Sequence, residues 1–314
     1  MGKLTKQYFE QHSDEWKAFR NQYIGGSDAA AIVGMNDFSS PYSVWAEKTG
    51  KVPGFEGNMS TKVGTFLEDF VAKLFEEETG KRVQRDNATI TNSDYPWACA
   101  NIDRQVIGED AGLEIKTTGE FNLKKFKNGE FPENYYAQCV HYLAVTGKQR
   151  WYLAVLIGNK DFKVFTIERD EAEIKALMDA EEEFWTYVET NSPPPADGHF
   201  KTTETIKKVY GSSVPVTVEL FGMDDMLKRR EVLKAQVKEL SAEIDSIENQ
   251  VKVAMGEAEA ASCGKYKVTW KPVTRHNFDK DRYEATFGKI SDDFYEATTS
   301  RTLRIAERKE KKNG

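Results

Sequence analysis

Apolar residues recur at helical spacing from Thr61 to Thr79, where Val63, Phe66, Leu67, Phe70, Val71, Leu74 and Phe75 predict one helix stopped by Gly80. Earlier in the chain, Gly25-Gly26-Ser27-Asp28 leads into an Ala-rich apolar segment, Ala29 to Val33, with Ser27 or Asp28 as its N-cap. Ser40-Pro41 starts a second helix that runs through Lys48 to a stop at Gly50. Strands are predicted over Val83 to Ile90, Trp97 to Val106 and Leu113 to Thr117, the last two closed into a hairpin at Gly108 to Gly112. Phe121 to Asn128, with Lys124, Lys125 and Lys127, reads as a basic loop or short helix. Pro132 opens a helix that ends at Gly147; a hairpin (Trp151–Ile157, Phe162–Ile167) turns at Gly158-Asn159, and a helix covers Asp170 to Glu189. This order (helices, β-meander, helix, hairpin, helix) predicts an α/β core over residues 1–192, a mixed central sheet flanked by helices.

Pro193-Pro194-Pro195 marks the end of that core, and residues 193–222 read as a linker and connecting segment. Residues 223–314 form a C-terminal extension. Within it Met226, Leu233, Val237, Leu240, Ile244, Ile247 and Val251 fall at spacings of three, four and seven, which predicts a long amphipathic helix over Met223–Met255 able to pair with a partner strand. Tyr266 to Trp270 reads as a strand and Tyr283 to Phe287 as the core of a short helix. The end carries Arg301, Arg304, Arg308, Lys309, Lys311 and Lys312, equally a DNA-backbone contact or a solubilising tail.

Composition narrows the class. The chain has 314 residues, 39% hydrophobic and 12% aromatic, enough for one sizeable core plus an appendage. No apolar run is long enough to span a bilayer and the N-terminus lacks a signal-peptide segment, so a cytoplasmic protein without a membrane partner is expected. Cys99, Cys139 and Cys263 are scattered, fit neither a disulfide framework nor a metal site, and are expected as small buried hydrophobes. The net charge is -7, yet the residues from Lys201 onward are near +3 and the first 200 near -10. An acidic centre and a local phosphate track are therefore compatible.

The chemistry concentrates between Ala98 and Thr118. Alternate side chains of a strand share a face, so Glu114 and Lys116 project together while Leu113 and Ile115 enter the core. The hairpin brings Asp103 to the same edge. Two carboxylates and an ammonium around one point suit Mg²⁺ or Mn²⁺, with the Lys orienting a water or stabilising charge on a phosphate. Asp, a gap, then Glu-x-Lys resembles the active site of the PD-(D/E)XK nuclease superfamily. Further residues read two ways. Arg20 with the Ser27 turn fits either a phosphate clamp or an ordinary capped helix with a surface Arg. Glu68 is either a helix-surface charge or a further carboxylate turned to the metal. Gln138 lies at helical spacing with Tyr135 and His141 and could hold a water or phosphate oxygen; His141 itself reads as a packed polar residue.

Taken together, IGGSDAAAIVG, SPYSVWAEKTG, GTFLEDFVAKLFEEETG, ANIDRQV, GLEIKTT and YYAQCVHYLAVTG occur in the order of the YqaJ-type viral recombinase family, phage-encoded nucleases of the lambda-exonuclease group. The resemblance spans residues 15 to 190 and departs at Ile102, where the family's nominal Pro precedes the Asp. It implies a restriction-endonuclease-like core and a Mg²⁺-dependent deoxyribonuclease acting in phage recombination. Asp103 and Glu114, helped by Glu68 and the Ile115 carbonyl, would hold the metal. Lys116 would position or deprotonate the attacking water, Gln138 would complete the site, and Arg20 and Ser27 would bind a DNA phosphate. The resemblance further implies 5′-to-3′ digestion of linear duplex ends and a homo-oligomeric ring, commonly a trimer. It also implies a single-strand annealing protein as partner, in the cytoplasm of a bacterial host. An endonuclease on the same core, and a non-catalytic module that docks DNA ends or a partner protein, stand as alternatives.

Overall fold

A computed structural model describes residues 2–10 and 13–306. The chain forms two compact units, one running to Ser212 and joined again by the chain from Ser300, the other Ser213–Thr299. The first opens with β1 (Leu4–Tyr8), α1 (Asp14–Arg20), the two-residue β2 (Ile24–Gly25), α2 (Gly26–Ile32), α3 (Pro41–Lys48) and α4 (Met59–Thr79). There follow β3 (Val83–Arg85), β4 (Ala88–Asn92), β5 (Tyr95–Asn101), β6 (Arg104–Val106) and β7 (Ala111–Thr118). After a 3-10 turn at Glu120–Phe126 come α5 (Glu133–Thr146), β8 (Arg150–Ile157), β9 (Asp161–Glu168), α6 (Glu171–Glu189) and α7 (Phe200–Val209).

The architecture is mixed α/β. A five-stranded sheet has the order β3-β6-β7-β8-β9, with β7 and β8 parallel and its other pairs antiparallel. Its two faces are covered by different helices. Leu113 and Ile115 of β7 pack with Val71, Ala72 and Phe75 of α4. Trp151, Leu153 and Val155 of β8 meet Cys139, Val140 and Leu143 of α5 on the other face. Helix α5 is buried without interruption from Ala137 to Thr146 because it also lies against a second sheet, β1-β4-β5-β2. Hence its sequence is apolar almost all round and shows little amphipathic pattern.

That second sheet was not foreseen, and it corrects two strand assignments. Val83 to Ile90 is two strands, β3 and β4, in different sheets, and Trp97 to Val106 divides likewise into β5 and β6. Side chains at the breaks take the hydrogen bonds that ladders leave: Asp86 Oδ2 accepts from Lys6 Nζ, and Asp103 Oδ2 from the Ile115 N–H. Strand β1 escaped notice because all five of its residues are exposed, so no alternation marks it. The cap of α2 is Gly25; Asp28 sits three residues later and its carboxylate accepts the Gly25 N–H. On α4 the buried face is only Val71, Ala72 and Phe75, whereas Phe66 is 85% and Phe70 49% exposed. The residues read as a connecting segment contain α7, whose Thr202 donates to Ser40 Oγ at the start of α3.

The second unit contains α8 (Asp224–Met255), close to its expected bounds, a hairpin of β10 (Ala260–Cys263) and β11 (Tyr266–Thr269), and α9 (Lys280–Phe287). Cys99 and Cys139 are buried as expected, but Cys263 is exposed, as are all four residues of β10 in the two-stranded hairpin. Arg301, back in the first unit, donates to the carbonyls of Tyr210 and Ser212 at 3.0 and 3.2 Å. Arg308, Lys309, Lys311 and Lys312 lie outside the described residues. Among the described residues no helix is long and apolar enough to cross a membrane.

Candidate active site

Strand β7 builds the site. It is sandwiched between α4 and α5, and its alternation sends Leu113 and Ile115 to α4 and Glu114 to the α5 side. Glu114 is only 3% exposed, a costly place for a carboxylate unless it is paired. Its Oε1 meets Lys116 Nζ at 2.6 Å and accepts from Gln138 Nε2 at 2.8 Å. Gln138 works in both directions, for its Oε1 accepts from Lys116 Nζ at 2.9 Å while Nε2 also donates to Tyr142 Oη at 2.8 Å. The Lys116 ammonium lies 5.4 Å from the centre of the Tyr135 ring, a cation–π distance. Burial opposes the charge on Lys116, but Glu114 and then Asp103 outweigh it and hold the ammonium above its ordinary range.

Asp103 occupies the bend where the chain passes from β5 in one sheet to β6 in the other. Strand β6 pairs with β7 through Arg104 opposite Leu113, and just beyond that pairing the Asp103 carboxylate takes the Ile115 N–H at 2.7 Å. The carboxylate is thereby locked against β7 at the residue next to Glu114. Burial, then the nearby Glu114 and Glu68 carboxylates, push Asp103 well above the usual carboxylate range.

Glu68 reaches the same cleft from α4 but is not free. Its Oε1 is held by Arg104 Nη1 and, at 3.3 Å, by Arg85 Nη2. Asp69 shares these guanidiniums, at 2.5 Å from Arg104 and 2.9 Å from Arg85, which face each other across the β3–β6 pair. Arg104 Nη1 also donates to the Asp103 carbonyl at 2.6 Å, so this cluster clamps α4 to the Asp103 bend.

The residues suit a divalent cation. Glu114 Oε2 is buried without any hydrogen-bond partner, a vacancy that carboxylates in apolar surroundings do not normally tolerate. Among the described residues no three His, Cys, Asp or Glu side chains are grouped to hold a metal ion by themselves. A cation bound here would be held by two hard carboxylates, Asp103 and Glu114, with backbone and solvent oxygens for the rest. That is the sparse coordination Mg²⁺ commonly accepts.

Arg20 and Ser27 are brought together, the guanidinium donating to the hydroxyl. They reach the site through β2, whose Ile24 and Gly25 pair in parallel with Ala98 and Cys99 of β5. Arg20 lies over the Trp16 ring at 5.2 Å, and Trp16 lines a cleft of about 80 Å³ that Glu68 and Asp103 also line. Behind them Asp28 pairs with Lys48 at 2.9 Å. Burial favours the neutral form of Asp28, yet Lys48 and Arg20 overcome it and hold the carboxyl below its usual range. Gly26 packs directly on the centre: a Cβ there would stand 2.6 Å from Tyr142 Cε1 and 3.1 Å from Gln138 Cγ.

Tyr142, Arg104 and Trp16 were not singled out from the sequence. Tyr142 carried the available signal, since it lies four residues after Gln138 and therefore on its face. His141, by contrast, is turned away: Nδ1 meets Glu181 Oε1 at 2.8 Å and Nε2 meets the Cys99 carbonyl at 3.0 Å, wholly buried, as a packed polar residue.

Comparison with known proteins gives the family. Residues 15–149 match the model of the YqaJ-like viral recombinase domain. The chain is 38% identical over 291 residues to the uncharacterized protein YqaJ of Bacillus subtilis (strain 168), covering 90% of this chain and 91% of that one. It is 33% identical over 96 residues to protein D345L of African swine fever virus (strain Badajoz 1971 Vero-adapted), 30% of this chain and 28% of that one. Among solved structures, an alkaline exonuclease (LHK-Exo) from Laribacter hongkongensis aligns with a TM-score of 0.49 at 22% identity, covering 57% of this chain and 94% of that one. With Asp103, Glu114, Lys116 and Gln138 gathered inside the matched residues, and identity sustained along nine-tenths of the chain, the protein belongs to the YqaJ-like viral recombinase family.

Proposed function

We propose that the protein is a Mg²⁺-dependent deoxyribonuclease, with Mn²⁺ as an alternative ion, that resects linear duplex ends 5′ to 3′ for recombination. The observation that carries this reading is the convergence of Asp103, Glu114 and Lys116, with Glu114 Oε2 buried and unpartnered. Asp103, Glu114 and the Ile115 carbonyl would hold the ion, and Glu68 would join them only by exchanging contact with Arg104. The bound ion supplies Lewis acidity toward a phosphodiester.

The remaining work falls to this chain's own groups. Lys116 Nζ donates to two acceptors, Glu114 Oε1 and Gln138 Oε1, so its protons point into the site and it acts as a donor that orients water or steadies phosphate charge. Gln138 fixes Glu114 and Lys116 relative to each other, and Tyr142 fixes Gln138. The Arg20 and Ser27 pair is suited to grip a backbone phosphate at the mouth of the cleft. A homo-oligomeric ring, commonly a trimer, a single-strand annealing partner and action in the cytoplasm of a bacterial host complete the proposal.

The test is digestion of linear duplex DNA, one strand 5′-labelled, with Mg²⁺ or EDTA, beside a covalently closed circle. Metal-dependent loss of the linear DNA with the circle intact is expected. A nicked or linearised circle would replace the exonuclease with an endonuclease on the same core. Binding without cleavage of either substrate would make the protein a docking module.

A further inference from the structure

Helix α8 in the second unit exposes an apolar seam that is unbroken from Leu233 to Val251. Its residues Met226, Leu233, Val237, Leu240, Ile244, Ile247 and Val251 are each 37–68% exposed, and of the 32 residues only Met255 is buried. Such a helix lacks the packing that normally stabilises helices in proteins. The spacing is a heptad, with Val237, Ile244 and Val251 at one core position (a) and Leu233, Leu240 and Ile247 at the other (d). A stripe confined to these two positions is the narrow seam of a coiled coil.

The charges beside the seam choose the direction. In a parallel, in-register pair of two copies, Arg230 at an a position would face its own counterpart. Arg229 would lie beside Lys234 of the second copy, and Glu243 beside Glu248 of the second copy: like charges in every case. An antiparallel pair reverses this. With Leu240 beside Ile244 of the second copy, Leu233 meets Val251, Val237 meets Ile247, and Arg230 faces the small Ala254. Lys234 then lies beside Glu248 at both ends. One unfavourable contact is left, Glu243 with its own copy at the two-fold axis. Glu248 is occupied only by Lys252, an exposed pair at 3.5 Å that is easily exchanged. The apolar overlap from Leu233 to Val251 is roughly 27 Å long at 1.5 Å per residue.

We infer that α8 is a homodimerisation element: two copies of this chain pair through it in an antiparallel coiled coil, with Leu240 against Ile244 and Lys234 against Glu248. This pairing does not depend on the nuclease reading of the first unit.

The experiment uses the full chain with Cys263→Ser, so that Cys99 and Cys139, both buried, are the remaining thiols. Under mild oxidation Glu243→Cys is expected to give a disulfide-linked dimer, because residue 243 meets itself across the axis. Leu233→Cys is expected to stay unlinked, since it meets residue 251. Linkage at 233 and not at 243 would establish a parallel pair and overturn the inference. Sedimentation equilibrium provides a second reading. Leu240→Glu with Ile244→Glu should halve the mass of the assembly, and an unchanged mass would mean that the seam takes something other than a second copy. Lys234→Glu should weaken pairing about tenfold and Glu248→Lys added to it should restore pairing. A parallel pair would instead be strengthened by Lys234→Glu, which relieves the contact with Arg229.

Discussion

Gly26→Ala tests whether the Arg20–Ser27 turn and the carboxylate centre are one packed object. The added methyl would stand 2.6 Å from Tyr142 Cε1 and 2.8 Å from Tyr142 Cζ, well inside contact distance. Tyr142 cannot swing aside, since its ring lies 5.2 Å from Trp151 and 5.9 Å from His141, both fully buried. Overpacking of this kind costs about 1–3 kcal/mol, which for a unit of this size lowers Tm by roughly 2–12 °C. The functional loss should exceed the loss of stability. Displacing Tyr142 removes the hydroxyl that holds Gln138 Nε2, and Gln138 is the link between Glu114 and Lys116. A hydrogen bond to a charged group contributes about 1.5–3 kcal/mol, so the cleavage rate should fall roughly 10- to 100-fold at temperatures where the variant remains folded. Scanning calorimetry and the rate of linear-duplex loss are the measurements, with Gly54→Ala as the control because nothing lies within 4 Å of a Cβ there. If Gly26→Ala matches the control in both, the close packing between turn and centre does not matter to the protein.

Lys116→Ala should abolish cleavage while DNA binding, measured by filter retention, persists; wild-type turnover would refute the assignment. Saturating Mg²⁺ should stabilise the wild-type fold, by about 2.7 kcal/mol at a hundred times its dissociation constant, and Glu114→Gln should lose most of that shift in a thermal melt. Arg20→Ala should weaken binding uniformly across DNA sequences and reduce the slope of log K against log salt by about 1. The His141–Glu181 pair gives the fold a pH dependence: burial disfavours the His141 cation but Glu181 outweighs it, so its pKa is raised, and burial raises Glu181 as well. The folded state therefore binds more protons than the unfolded one, and stability should fall as pH rises, beginning above about 4.5 for Glu181 and above about 6.5 for His141, their unfolded values. His141→Gln should flatten that slope in denaturant titrations.

The parts of this chain that could be read from sequence are those whose environment is uniform along an element. Helix α3 announced itself by Ser40-Pro41, and β7 by alternation. The Glu114–Lys116 face was legible because period two holds whatever covers the strand. Asp103 was legible as a residue but not as a place. Ile102 is buried and apolar like the strand residues before it, so nothing local marks the crossing between sheets. Glu68 was legible only as two alternatives, a surface charge or a carboxylate turned to a metal, because only tertiary structure brings up Arg104 and Arg85 as its partners. Phe66 and Phe70 count as core in any periodicity analysis, yet they lie one turn apart on the face of α4 opposite Val71, Ala72 and Phe75, and they remain in solvent.

Charge around the cleft is unevenly balanced. Four carboxylates, Glu68, Asp69, Asp103 and Glu114, meet three cations, Arg85, Arg104 and Lys116. The deficit is not shared evenly. Both guanidiniums are engaged by Glu68 and Asp69 on the α4 side, while Lys116 alone serves Glu114, and Asp103 is left with one backbone N–H. The excess negative charge is thus confined to the two oxygens nearest β7, Asp103 and the unpartnered Oε2 of Glu114. A hydrophobic or neutral replacement of either would relieve the repulsion, so Asp103→Asn should raise the apo protein's Tm while abolishing the Mg²⁺-dependent shift. A stabilised apo fold that has lost its response to the ion is the signature of a site shaped for binding at the expense of stability.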